Sequence, residues 1–242
     1  MTPVQIEHDG SVAVVRIDDG KANAIGPTLL TALGAALDEI EQGPARSVVL
    51  AGRPGFFSGG LDLKLLPTLP PDEMRATSLA FVALVERVFL FPKPIVAASA
   101  GHALAGGFML YCAADLRVAL DDERSRYGLT EIEAGIPIIG PTAAVVIAAV
   151  SVPARIEVLL HGRRMTAVEA HAVGVVHETM TTADAVVPRA VERARPLERL
   201  GAAAYAISKR ALREATIRQA RDVGAALASQ LSQGNPFAGL RR

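Results

Sequence analysis

The chain has 242 residues, half of them apolar, which is enough for one sizeable core. Lys plus Arg and Asp plus Glu each total 25, so the formal charge is zero and nothing in the balance marks a nucleic-acid or polyanion binder. Cys112 is the only cysteine, which excludes an internal disulfide and fits a reducing compartment.

In chain order, Val4 to Glu7, a turn at Asp9-Gly10 and Val12 to Ile17 read as a β-hairpin. Pro27 opens a helical pattern in which Leu30, Leu33, Leu37 and Ile40 recur at three- and four-residue spacing. Arg46 to Ala51 is a buried strand, Met74 to Phe89 is helix-periodic, and Pro94 to Ala100 and Leu116 to Leu120 are further strands. This alternation predicts an α/β fold with largely parallel strands. Beyond Pro141 the strand signal fades: Ala143 to Val150, Ala154 to Leu160, Ala167 to Ala172 and Ala202 to Leu231 look helical, with Val173 to His177 the one further strand. The expected organisation is an α/β core over 1–190 and a helical C-terminal segment over 191–242, with a hinge between Pro188 and Pro196.

The N-terminus has acidic residues where a signal peptide needs a basic and then an apolar region. Ala143 to Val150, the longest apolar stretch, falls far short of the roughly 18 residues that span a bilayer. The expectation is a soluble cytoplasmic protein that binds neither membrane nor nucleic acid.

Two segments share one design. Val48 to Ala51 leads into Phe56-Phe57-Ser58-Gly59-Gly60-Leu61, and Ile95 to Ala100 into Gly101-His102-Ala103-Leu104-Ala105-Gly106-Gly107, each followed by a helical run. A strand ending in glycines before a helix leaves backbone N–H groups free to meet negative charge, and glycine admits a ligand where a Cβ would block it. Either loop alone is equally consistent with ordinary turns. Neither reads as GxxxxGK[ST] or GxGxxG, so nucleotide phosphate is not supported. Together they point to a two-donor oxyanion hole.

Five ordered landmarks carry a family resemblance: KANAI (Lys21 to Ile25), FFSGGLDLK (Phe56 to Lys64), KPIVAASAGHALAGGFMLYCAADLRVA (Lys93 to Ala119), YGLTEIEAGIP (Tyr127 to Pro137) and GRRMTAVEAHAVGVVHE (Gly162 to Glu178). The chain resembles the crotonase superfamily, also called the enoyl-CoA hydratase/isomerase family. The resemblance implies a spiral of repeated β-β-α units with a helical C-terminal section, assembled as a homotrimer or a dimer of trimers. It also implies an acyl-CoA thioester substrate from fatty-acid metabolism, with coenzyme A as part of the substrate and no separate cofactor or metal. Matched position by position, the hole's donors are the N–H groups of Leu61 and Gly106. Lys21, Ala22, Ala24, Gly60, Lys64, Gly107, Met109 and, from the C-terminal helix, Lys209 are the implied substrate and CoA contacts.

Such a hole suits a thioester enolate, because an α-proton beside a thioester carbonyl is too weakly acidic for a carboxylate unless charge on oxygen is stabilised. One donor is worth about 2.7–4 kcal/mol of activation free energy. Glu131 falls at one of the family's two glutamate positions and is the candidate acid/base. The other position, three residues after Gly106, is Met109, and a thioether neither accepts nor delivers a proton. Glu133 would face the opposite way if the segment is extended. Asp62 reads as a cap, Asp115 and Arg117 as structural, and His102 as either a structural histidine or a second acid/base. No His or Cys spacing fits zinc, and Ser58 and Ser99 lack a G-x-S-x-G elbow. Three readings remain open: a hydratase adding water to a 2-enoyl-CoA, which the resemblance places first, an isomerase or other enolate-forming enzyme, and a catalytically silent acyl-CoA binder.

Overall fold

The computed structural model describes residues 2–231. Its elements begin with strands β1 (Val4–Asp9), β2 (Val12–Ile17) and β3 (Ala24–Ile25), helix α1 (Pro27–Gln42), strands β4 (Ser47–Ala51), β5 (Gly55–Ser58) and β6 (Gly60–Leu61), and helix α2 (Pro71–Leu90). Strands β7 (Ile95–Ser99) and β8 (Gly101–Leu104), helix α3 (Gly106–Ala113), strands β9 (Leu116–Leu120) and β10 (Tyr127–Gly128), and helix α4 (Gly140–Ala149) follow. The last elements are α5 (Arg155–Leu159), α6 (Ala167–Ala172), β11 (Glu178–Met180), α7 (Ala183–Ala194) and α8 (Ala202–Leu231).

The expected spiral of β-β-α units is the architecture observed. The longer strand of each unit joins a six-stranded sheet, ordered β1-β2-β4-β7-β9-β11, and the shorter joins a three-stranded sheet, ordered β10-β8-β5. Apart from the β1-β2 hairpin, the ladders of these two sheets are parallel.

β4 and β7 are buried at every residue because helices cover both faces of the large sheet. Successive side chains alternate between faces. Val48, Leu50, Ile95 and Ala97 thus join the main core with Leu33, Leu37 and Val88. Val49, Ala51, Val96 and Ala98 join a second core with Val186, Ala190, Val191 and Ala194 of α7.

Three expectations are corrected. The strand expected over Val173 to His177 lies just downstream, at β11. Gly174, with φ +85°, ends α6, and the N–H groups of Val175 and Val176 both bond Ala170 O (2.9 and 3.1 Å), so these valines close a helix instead of pairing with a strand. The hinge expected between Pro188 and Pro196 is also absent, because Pro188 sits inside α7, whose apolar face seals the second core. The expected boundary at 190/191 therefore falls within that helix. α8 packs on α4 and α2 of the α/β body. Its Gly224 lies so close to Gly140 that an added Cβ would stand 2.8 Å from the Gly140 Cα. Among the described residues no helix is long and apolar enough to cross a membrane.

Candidate active site

The three-stranded sheet gathers the candidate groups. Parallel pairing aligns Ser58 with Ala103, Tyr127 with Ala103, and Gly128 with Leu104. Leu61, Gly106 and Glu131 each follow within three residues of one of these strand ends.

The first loop is held from within. Ser58 Oγ donates to Asn23 O (2.7 Å) and accepts from the Gly60 N–H (3.1 Å). Asn23, at φ +50°, sends Nδ2 to Ile17 O (2.9 Å) and Phe57 O (3.1 Å). Asp19 gathers the N–H groups of Lys21, Asn23 and Ala24. Burial raises the Asp19 pKa, but these hydrogen bonds outweigh it and hold the carboxyl below its usual value. The amides on either side of Leu61 are satisfied internally, Gly60 by Ser58 and Asp62 by Ile25 O (3.0 Å). Asp62, expected to cap the next helix, instead closes the turn before it: Oδ1 accepts the N–H groups of Lys64 and Leu65, both at 3.0 Å, and the N-cap of the short helix over Leu66–Thr68 is Leu65.

The second loop turns into α3 through Ala105, whose φ of +51° is rare for a residue with a side chain. This turn makes Gly106 the first residue of α3, where an N–H has no partner within the helix. The loops touch: a Cβ on Gly60 would lie 2.9 Å from Gly106 N, and one on Gly107 would lie 2.3 Å from Ser58 O. A Cβ on Gly106 would stand 3.5 Å from Leu61 N and 2.9 Å from Phe81 Cζ, so the two candidate donors are neighbours and the Phe81 ring lies against Gly106.

Glu131 is 9% exposed. Burial raises its pKa, opposed by its own N–H and that of Thr130, which bonds Oε2 at 2.9 Å. No cation pairs with it among the described residues. Met109 is buried in the main core, one turn into α3, with its N–H on Ala105 O (3.1 Å). His102 is tied down: Nδ1 accepts the Arg126 N–H (3.0 Å) and the ring lies 5.0 Å from that of Phe56. Glu133 pairs with Arg164 at the surface. Cys112 is inert, its thiol pushed up to about 12 by burial.

Ala22 and Ala24 flank the first loop, Ala22 O accepting the Gly59 N–H at 2.8 Å, while Lys21 and Lys64 are exposed. Lys209 is a correction. Implied as a CoA contact, it is buried, with Nζ 2.8 Å from Asp115 Oδ2, because α8 turns Lys209 and Arg213 inward onto Asp115 while Arg210, Arg218 and Arg221 stay exposed. Asp115 and Arg117 are structural: Arg117 is buried and bonds the carbonyls of Val175, Cys112 and Ala114. Sequence reasoning did not single out Phe81, Asn23 or the scaffolding role of Ser58. Asn23 carried a signal, since asparagine is among the few residues that accept positive φ.

The family model described as enoyl-CoA hydratase/isomerase matches residues 7–234. A Thermus thermophilus relative whose name places it with the enoyl-CoA hydratases is 40% identical over 179 residues, 72% of this chain and 69% of that one. The crystal structure of an enoyl-CoA hydratase from Mycobacterium marinum superposes with a TM-score of 0.83 at 31% identity, covering 92% of this chain and 96% of that one. A Mycobacterium tuberculosis structure described as an enoyl-CoA isomerase also gives 0.83 at 31% identity, covering 93% and 98%.

Proposed function

The chain belongs to the enoyl-CoA hydratase/isomerase family, and on that premise we propose that it isomerises the double bond of an acyl-CoA thioester with Glu131 as its sole acid/base. The Leu61 and Gly106 N–H groups hold the thioester oxygen as charge develops there. The Glu131 carboxylate removes a proton from the α carbon of a 3-enoyl thioester, giving a dienolate. The same carboxyl then returns the proton to the γ carbon, leaving the double bond in conjugation. One carboxyl suffices for this sequence, whereas hydration must both activate water and protonate the α carbon.

The observation that carries the reading is the isolation of Glu131. Met109 fills the second glutamate position, Glu133 pairs with Arg164, and His102 Nδ1 is engaged by a backbone N–H. This moves isomerisation ahead of hydration, which the names of the relatives favour and which stands as the second reading. In both, acyl-CoA is the substrate, and trimeric assembly is part of the proposal.

Mass-resolved turnover of 3-enoyl-CoA and 2-enoyl-CoA thioesters tests it. Conversion of the 3-enoyl substrate without mass change is expected, and it should vanish in Glu131→Gln while CoA binding persists. Gain of water as the main reaction supports hydration, and binding without turnover a silent protein. Full activity in Glu131→Gln removes that residue from the mechanism.

A further inference from the structure

α3 runs from Gly106 at the candidate hole to a second polar cluster about 12 Å away at its other end, taking 1.5 Å per residue. There, beneath α8, lies a cavity of about 290 Å³ to which neither oxyanion loop contributes. Arg117, 5% exposed, lines it. Nε and Nη1 of Arg117 are spent on backbone carbonyls, and its Nη2 has no acceptor among the described residues. His177 also lines the cavity. Its Nδ1 accepts the Arg117 N–H at 3.2 Å, and burial, together with the charges of Arg117 and Arg193, lowers its pKa to about 4. At neutral pH the ring is therefore uncharged with its proton on Nε2, a second donor without an acceptor among the described residues.

Arg213 completes the polar wall, stacked on Phe89 at 4.3 Å with Nη1 on Phe89 O (2.7 Å) and Asp115 Oδ1 (2.9 Å). Among the described residues Asp115 is the only carboxylate lining the cavity, and both its oxygens are occupied: Oδ1 by Arg213, Oδ2 by the Ile95 N–H and Lys209 Nζ, both at 2.8 Å. Three cations thus surround one saturated carboxylate. The apolar part of the wall is formed by Phe89, Ala149 and Leu212, the last 81% exposed at the rim. A space rich in donors, poor in acceptors and apolar in part matches an anion that carries a hydrocarbon tail.

We propose that the cavity beneath α8 binds a short-chain organic carboxylate, its head on Arg117, His177 and Arg213 and its tail against Phe89, Ala149 and Leu212. This site is separate from the candidate active site and does not depend on which reaction occurs there.

Calorimetric titration of the full chain with butyrate, butyramide and inorganic phosphate, at fixed ionic strength and with and without saturating coenzyme A, tests it. One butyrate per chain is expected, undisplaced by coenzyme A. Butyramide, which lacks the charge, should bind at least about tenfold more weakly, as should phosphate, which lacks the tail. Leu212→Glu places a negative charge at the exposed rim and Ala149→Leu fills the apolar wall. Each should weaken butyrate at least about tenfold, in protein whose ligand-free melting temperature matches the wild type. Absence of saturable binding overturns the proposal, as does butyramide or phosphate binding as tightly as butyrate, displacement by coenzyme A, or unchanged affinity in both folded variants.

Discussion

Gly106→Ala tests the hole most directly. An added Cβ would lie 2.9 Å from Phe81 Cζ, and the usual carbon–carbon contact is about 3.5–4.0 Å, so the ring tip must retreat by roughly 1 Å. Phe81 meets Gly106 with the far end of its side chain, so the strain should relax at a cost of about 1–2 kcal/mol of stability and leave the protein folded. The same methyl would stand 3.5 Å from Leu61 N, in the space where the thioester oxygen must accept from both amides. Displacing one donor should lower kcat by roughly 100- to 1,000-fold, or about 2.7–4 kcal/mol in the barrier. Turnover of the preferred enoyl-CoA, with a urea titration alongside, is the assay. Gly107→Ala is the contrast, because its Cβ would lie 2.3 Å from the Ser58 backbone oxygen, which cannot give way cheaply, and stability should fall with activity. A folded Gly106→Ala variant with wild-type kcat would refute Gly106 as a donor.

Glu131 must be deprotonated to act as a base, and burial raises its pKa. kcat/KM should therefore decline as pH falls through a value above the ordinary 4.5, and an acid limb at or below 4.5 would contradict the assignment. Met109→Glu restores a second carboxyl at a buried position, so hydration of 2-enoyl-CoA should increase while stability drops by about 1–3 kcal/mol. No gain in a folded variant would separate Met109 from the choice of reaction. Asp115→Ala strips the Ile95 N–H, Lys209 and Arg213 of their shared partner, and chemical denaturation should register a loss of about 3–5 kcal/mol. A loss under about 1 kcal/mol would mean that solvent replaces the carboxylate.

The long strands were legible because β4 and β7 are continuous apolar runs, and the helices because their leucines recur at helical spacing. The short strands were not. β5 and β8 lie in glycine-rich stretches read as loops and β10 is only two residues long, and they exist because each finds a parallel partner across the spiral, a long-range fact that local periodicity cannot carry. Leu61, Gly106 and Glu131 came from ordered motifs, and the short-strand sheet places each within three residues of a strand end. Phe81 escaped notice because an aromatic at helical spacing looks like any core residue until the element opposite it is known. Lys209 was misread for a related reason: a basic helix gives no sign of which cation turns inward, and the deciding partner, Asp115, lies 94 residues away.

That separation also imposes a delay during synthesis. At about 5–20 residues per second, the ribosome needs roughly 5–20 s to travel from Asp115 to Lys209. Through that interval β7 and β9 can pair and α3 can settle, but Asp115 waits without its two cations and the face of α4 that α8 will cover stays open to water. The nascent chain thus carries an apolar surface beside an unneutralised carboxylate, and docking of α8 removes both at once.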